Sequence, residues 1–210
     1  MKIAIIGAGN VGSSLGTSWR NKGRDVRFGV PNPDDPRYAR LGRNALGTAA
    51  DAARDADVIV LATPWEATEA AVRGLGDVSG KIVVDCTNPL TAGPGGLGLA
   101  IGYTTSGGEQ VAAWAQGASV FKTLNQTGAA NMVNPERFSP RPVMFVAGDD
   151  STRKPDVIEL VNQLGFEAMD AGPLRNARLL EPLAMLWIDQ ALNRGRGRNF
   201  AFAITHRSAC

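Results

Sequence analysis

The chain opens with Lys2-Ile3-Ala4-Ile5-Ile6-Gly7-Ala8-Gly9-Asn10-Val11-Gly12, and this stretch decides how the rest is read. Lys2–Ile6 is a short apolar run of the kind that forms a buried β-strand. It passes directly into a G-x-G-x-x-G pattern, Gly7 to Gly12, and Val11–Asn21 behind it reads as a helix stopped by Gly23. In that setting each glycine has a distinct task. Gly7 permits the tight turn, Gly9 lets a pyrophosphate approach the backbone, and Gly12 lets helix and strand pack closely. The phosphates then lie at a helix N-terminus beside Asn10 and Val11, where free N–H groups and the macrodipole favour negative charge. The expectation is a dinucleotide site.

Outward from this turn the chain alternates strand and helix. Val26–Val30, Val58–Ala62, Ile82–Cys86, Ser119–Leu124, Val143–Ala147 and Glu167–Asp170 read as strands. Thr48–Arg54, Glu66–Leu75, Glu109–Ala115, Thr152–Leu164 (N-capped by Asp150 or Ser151) and Arg178–Leu192 read as helices. Leu179, Leu180, Leu183, Leu186, Trp187 and Ala191 mark one apolar face on the last of them. Strands separated by helices imply βαβ crossovers. The predicted fold is α/β, a doubly wound, mainly parallel sheet of Rossmann type with a small C-terminal helical extension. Residues 1–210 are expected to form one domain. Thr91–Gly108 holds seven glycines and one proline, too many for a stable helix, and reads as a lid or a mobile connection.

Composition excludes several classes. The 210 residues carry 22 Lys+Arg against 20 Asp+Glu, with no basic stripe of the kind nucleic-acid proteins show except near Arg194, Arg196 and Arg198. Cys86 and Cys210 fit no metal spacing, and His206 is the single histidine, so no metal site is expected. No apolar run reaches the roughly 18 residues of a membrane helix. The immediate start of the first strand argues against a secretory signal, and the expected setting is the reducing cytoplasm.

NAD-preferring sites usually place a carboxylate at the end of the second strand. Here that position reads Gly29-Val30-Pro31-Asn32, which favours NADP, with NAD the other candidate. Asn32 and Arg37 are the expected contacts on this side, although Arg40 and Arg43 are also within reach of a 2′-phosphate. Ligands of such sheets bind outside the C-terminal strand ends. These carry Thr63-Pro64-Trp65-Glu66, Thr87-Asn88-Pro89-Leu90 and Leu124-Asn125-Gln126-Thr127, groups that form hydrogen bonds but include no obvious acid or base. Thr63, Pro64 and Asn88 are placed on the cofactor, while Trp65 either walls off the nicotinamide or is plain core. Hydride transfer between two ring systems suits this poverty of acid–base groups. Two rivals stand beside it. One is reduction of a small carbonyl or imine with Lys122 as proton source, unless Lys122 is an ordinary surface lysine. The other is a non-catalytic dinucleotide sensor.

Three segments carry a family resemblance: Met1–Gly12, Thr63-Pro64-Trp65-Glu66, and Asp170-Ala171-Gly172-Pro173-Leu174-Arg175-Asn176-Ala177-Arg178-Leu179-Leu180-Glu181. The chain resembles the NADPH-dependent reductases of the 8-hydroxy-5-deazaflavin coenzyme. The nucleotide-binding domains of membrane ferric reductases look similar as well. The resemblance implies NADP across the glycine loop and a deazaflavin, or a flavin, over the nicotinamide. Residues 170–210 would close the substrate cleft, lined by Trp65, Leu124, Asn125, Gln126 and Thr127, and the protein would be a homodimer. Two positions depart from the family pattern. Val30-Pro31 stands where a basic pair is typical, and Asn125-Gln126-Thr127-Gly128 stands where a histidine and a proline are typical.

Overall fold

The structure, a computed structural model, describes residues 1–94 and 96–207. Cys210 and the end of the predicted C-terminal extension lie outside the described residues. The elements run in chain order as β1 (Lys2–Ile6), α1 (Asn10–Asn21), β2 (Asp25–Gly29), β3 (Leu46–Gly47), α2 (Ala49–Arg54), β4 (Val58–Leu61), α3 (Trp65–Arg73) and β5 (Ile82–Asp85). They continue as β6 (Leu90–Gly93), β7 (Gly96–Leu99), α4 (Gly107–Trp114), β8 (Ser119–Lys122), β9 (Val143–Gly148), α5 (Lys154–Leu164), β10 (Glu167–Asp170) and α6 (Ala177–Leu192).

Among the described residues the main sheet has the order β10-β9-β8-β5-β4-β1-β2-β3. All its neighbours pair in parallel except β8 and β9, which pair antiparallel through Phe121–Gly148 and Lys122–Ala147. The chain winds from β1 toward β3 on one side, then crosses back to β4 on the other. The crevice outside the ends of β1 and β4 is therefore the switch point at which such sheets bind ligands. Alternation along the strands feeds two cores. Ile3 and Ile5 of β1 pack with Leu15, Trp19 and Phe28 on one face. Ala4 and Ile6 pack with Ile59, Leu61 and Val111 on the other. Burial on both faces is why these strands read as unbroken apolar runs.

Several segments differ from the expectation. α5 starts at Lys154 rather than Thr152, because Asp150 Oδ1 accepts the Thr152 and Arg153 N–H groups in a turn that precedes the helix. The glycine-rich stretch contains an antiparallel hairpin, Leu90–Gly93 with Gly96–Leu99, rather than an irregular loop. α4 starts at Gly107 rather than Glu109, because Ser106 Oγ accepts the Glu109 N–H and the Glu181 carboxylate accepts those of Gly107 and Gly108. The predicted apolar face of α6 splits: Leu180, Trp187 and Ala191 are buried, whereas Leu179 and Leu186 are exposed at 66% and 50%. The helix carries more leucine than one buried stripe can absorb.

The glycines of the turn should respond differently to substitution. A Cβ on Gly12 would lie 2.0 Å from the Gly7 carbonyl oxygen, whereas one on Gly9 meets nothing within 4 Å. Gly12→Ala should cost about 1–3 kcal/mol or more by overpacking. Gly9→Ala should stay within about 0.5 kcal/mol of wild type. Urea unfolding of the two variants reads the contrast.

Candidate active site

At the end of β1 the backbone turns through Gly7 at φ +98°, and a Cβ there would meet the Ala62 carbonyl oxygen at 2.5 Å. Helix α1 begins at Asn10 with Gly9 as its N-cap, and no side chain caps it. Its first-turn N–H groups are thus left for an outside acceptor. Open space above Gly9, an uncapped helix N-terminus and a tight Gly7–Gly12 contact together fit a diphosphate held by backbone amides.

Two cavities meet beside this turn, and Val11 lines both. A recess of about 290 Å³ lies over the ends of β4 and β5, lined by Val11, Ala62, Thr63, Pro64, Trp65, Glu66, Cys86, Thr87, Asn88 and Leu90. Among the described residues Glu66 is its one carboxylate, and no His, Lys or Tyr lines it. Trp65 lines the recess and is partly buried, packing on Trp114 with ring centroids 5.6 Å apart. The second cavity, about 680 Å³, runs from Asn10, Val11 and Ser13 to Arg40 on one side. On the other lie Gly128–Ala130, Val133, Trp187, Ile188, Leu192 and Arg198.

The structure thus gathers Gly7, Gly9, Asn10, Val11 and Gly12 with Thr63, Pro64, Trp65 and Asn88. Beyond β2, Asn32 is exposed and its Oδ1 accepts the Asp34 N–H, while Arg37 turns to Asp35. Leu124, Asn125, Gln126 and Thr127 are all buried. Gln126 receives the Phe145 N–H and donates to the Phe145 carbonyl, extending the edge of β9. Asn125 donates to Asn88 Oδ1 and to the Leu180 carbonyl. Thr127 Oγ1 accepts from Asn131. This loop braces the residues that follow it, and those residues line the larger cavity. The contribution of 128–133 and of 187–198 had no local signature. Trp187 and Ile188 look like ordinary core positions of a helix, and the tail beyond α6 looks like loop. The tail is nonetheless pinned. Trp187 Nε1 donates to the Phe200 carbonyl, the two rings stack at 5.2 Å, and Asn131 donates to the Arg198 and Phe200 carbonyls.

Lys122 overturns the surface-lysine reading. It is the last residue of β8 and is completely buried. Its ammonium contacts Asp85 Oδ2 at 2.8 Å, Glu181 Oε1 at 2.9 Å and the Thr87 carbonyl at 2.6 Å. Burial pulls the lysine's pKa down, but the two carboxylates more than offset this and hold it above its ordinary value. Asp85 in turn accepts the Thr87 N–H and hydroxyl, which fixes the floor of the smaller recess. Burial, and then the Asp85 charge, push the Cys86 thiol far up, so it stays protonated. At the rim of the same assembly Arg178 grips Glu109 through two bonds, at 2.8 and 2.6 Å. That grip, with the Ser106 hydrogen bonds, keeps the Glu109 carboxyl below the usual range. The C-terminal segment that carries the family resemblance is thus the segment that clamps α6 onto α4.

The triad makes a signed prediction. The raised lysine value means its contribution is complete below the unfolded-state pKa of about 10.4 and is lost only as pH rises through the folded-state value. Lys122→Met strands two buried carboxylates and should cost about 3–5 kcal/mol near neutrality. Urea titration of wild type and variant near pH 7 measures the loss.

Comparison with known proteins fits this geometry. A sequence model of the family described as "NADP oxidoreductase coenzyme F420-dependent" matches residues 2–89. The F420-dependent NADP reductase of Methanothermobacter thermautotrophicus is 29% identical over 228 residues, covering 98% of this chain and 95% of its own. A crystal structure from Arthrobacter sp. FB24, provisionally named an F420-dependent NADP reductase, superposes with a TM-score of 0.88 at 32% identity, covering 98% of this chain and all (100%) of that one. A reductive aminase from Aspergillus terreus, at 18% identity and a TM-score of 0.68 over 92% of this chain and 62% of its own, shares the fold alone. The chain therefore belongs to the F420-dependent NADP oxidoreductase family.

Proposed function

We propose that the protein is an oxidoreductase that passes a hydride between NADP(H) and a deazaflavin coenzyme or related flavin. One observation carries the reading: the recess beside the glycine turn is lined by apolar, hydroxyl and amide groups, and Glu66 at its rim is the one carboxylate. Reduction of a carbonyl or imine calls for a proton donor at the reacting atom. Lys122 cannot serve, because three acceptors enclose its ammonium away from both cavities. Relatives named F420-dependent NADP reductases support the same class of reaction.

In this reading the first-turn amides of α1 hold the diphosphate over Gly9. Thr63, Pro64, Trp65 and Asn88 position the nicotinamide in the smaller recess. Bound NADPH supplies the hydride at nicotinamide C4, and the deazaflavin ring takes it up. The acceptor ring enters through the larger cavity past Val11. Trp187, Ile188 and the pinned tail at Phe200 exclude water from its far side, so residues 170–207 act as an extension that closes the cleft of a single domain. A cytoplasmic setting suits both coenzymes and keeps the buried Cys86 a free thiol. Among the described residues no helix is long and apolar enough to cross a membrane.

The direct test mixes the protein with NADPH and the deazaflavin and follows the deazaflavin absorbance band. Turnover is expected, and Gly9→Val should abolish it by filling the space reserved for the diphosphate while the fold persists. Binding of NADPH without turnover of the deazaflavin, FMN or FAD overturns the reading.

We also infer a homodimer. Leu179 and Leu186, two turns apart on one side of α6, are largely exposed, and a groove of about 920 Å³ beside them includes Pro182 and Met185. Pairing of two such faces would bury the stripe symmetrically. The double variant Leu179→Glu with Leu186→Glu should sediment at half the wild-type mass. An unchanged mass places the interface elsewhere.

A further inference from the structure

The segment after β2 carries three arginines, and the structure separates them. Arg37 pairs with Asp35 at 3.0 Å and lies over the Tyr38 ring at 4.7 Å. Arg43 pairs with Asp34 at 2.6 Å. Among the described residues Arg40 has no carboxylate within ion-pair distance. Its guanidinium donates instead to Ser13 Oγ at 3.3 Å, and that hydroxyl donates to the Ala8 carbonyl at 2.9 Å. The side chain thus ends against the glycine turn and lines the same cavity as Asn10. The end of β2 is held at this corner, since the Gly7 N–H donates to the Gly29 carbonyl at 2.9 Å. The backbone carrying Arg40 is anchored: Leu41 is buried, and its carbonyl accepts from Arg20 at 2.8 Å.

Resting on the reading that NADP lies across this turn, we propose that Arg40 grips the 2′-phosphate and sets the preference for NADP over NAD. A guanidinium offers parallel donors that match phosphate oxygens. Arg37 and Arg43 would have to surrender a carboxylate to do this. Arg40 gives up only a long hydrogen bond to a neutral hydroxyl. No acid stands at Gly29-Val30-Pro31-Asn32 to hold a free ribose 2′-hydroxyl, so the corner rewards the phosphate alone.

Calorimetric titration of the full chain with NADP and with NAD tests the assignment. Arg40→Ala should weaken NADP binding by about 10- to 100-fold, the range for hydrogen bonds to a charged group, and leave NAD binding unchanged. Arg37→Ala and Arg43→Ala should keep the wild-type ratio. Arg40 is exposed, so the variant should keep the wild-type melting temperature, which circular dichroism verifies. Equal loss for both nucleotides would make Arg40 a diphosphate contact and overturn the proposal. So would transfer of the effect to Arg37 or Arg43. Wild-type protein that binds NAD as tightly as NADP overturns this assignment and spares the nucleotide site. Wild-type protein that binds neither removes the site itself.

Discussion

A single buried ammonium ties the molecule together. Lys122 sits at the end of β8, and its two carboxylate partners come from β5 and α6. Three charges share one dry compartment, and they sum to minus one. The remaining negative charge rests on the N-terminus of α4, where the Gly107 and Gly108 N–H groups donate to Glu181 at 3.0 Å each. Helix amides therefore act as the missing partial cation. Close approach is what the two glycines permit, since a Cβ on Gly107 would already lie 3.0 Å from Glu181 Oε1. Burying such a group is costly unless every charge is matched and hydrogen-bonded. Here the match is complete only when the sheet, α4 and α6 are all in place. The interaction thus specifies the arrangement of elements more than it adds to stability.

The nucleotide turn and this triad divide the work. The turn is built from backbone and needs no charged side chain of its own. The triad lies below the recess and holds its floor through Asp85 and Thr87. The proposed two-coenzyme chemistry would ask the protein for position and dryness, which groups locked inside the fold can supply.

How much of this could be read from residues alone depended on sequence distance. The strand–turn–helix geometry was legible because Ile6 to Gly12 is contiguous, and the tight contacts at Gly7 and Gly12 follow from it. The sheet was legible because buried parallel strands are apolar on both faces. Boundaries slipped by a residue or two where a cap came from far away, as at Gly107. Neither reading of Lys122, proton source or surface lysine, foresaw a buried ion pair, because its partners Asp85 and Glu181 are remote in sequence and no periodicity announces them. The wall formed by Gly128–Ala130, Trp187, Ile188 and Arg198 was missed for a similar reason. It exists only once α6 and the tail fold back over the 128–133 turn. Leu124–Thr127 was read as lining, whereas its polar groups are spent on neighbours, a distinction that only hydrogen-bond partners reveal.

The reversal of direction between β8 and β9 has a consequence for how such a protein can diversify. A parallel neighbour would force the chain to cross the sheet by a covering element of fixed length. An antiparallel neighbour lets residues 123–142 leave and return at the same end of the sheet, where Gly128–Ala130 and Val133 line the larger cavity. Gln126 is tied to Phe145 and Asn131 to the tail, so changes of length fall between these anchors and need not re-register a strand. The cavity wall on one side of Val11 can thus change while the recess on its other side stays untouched.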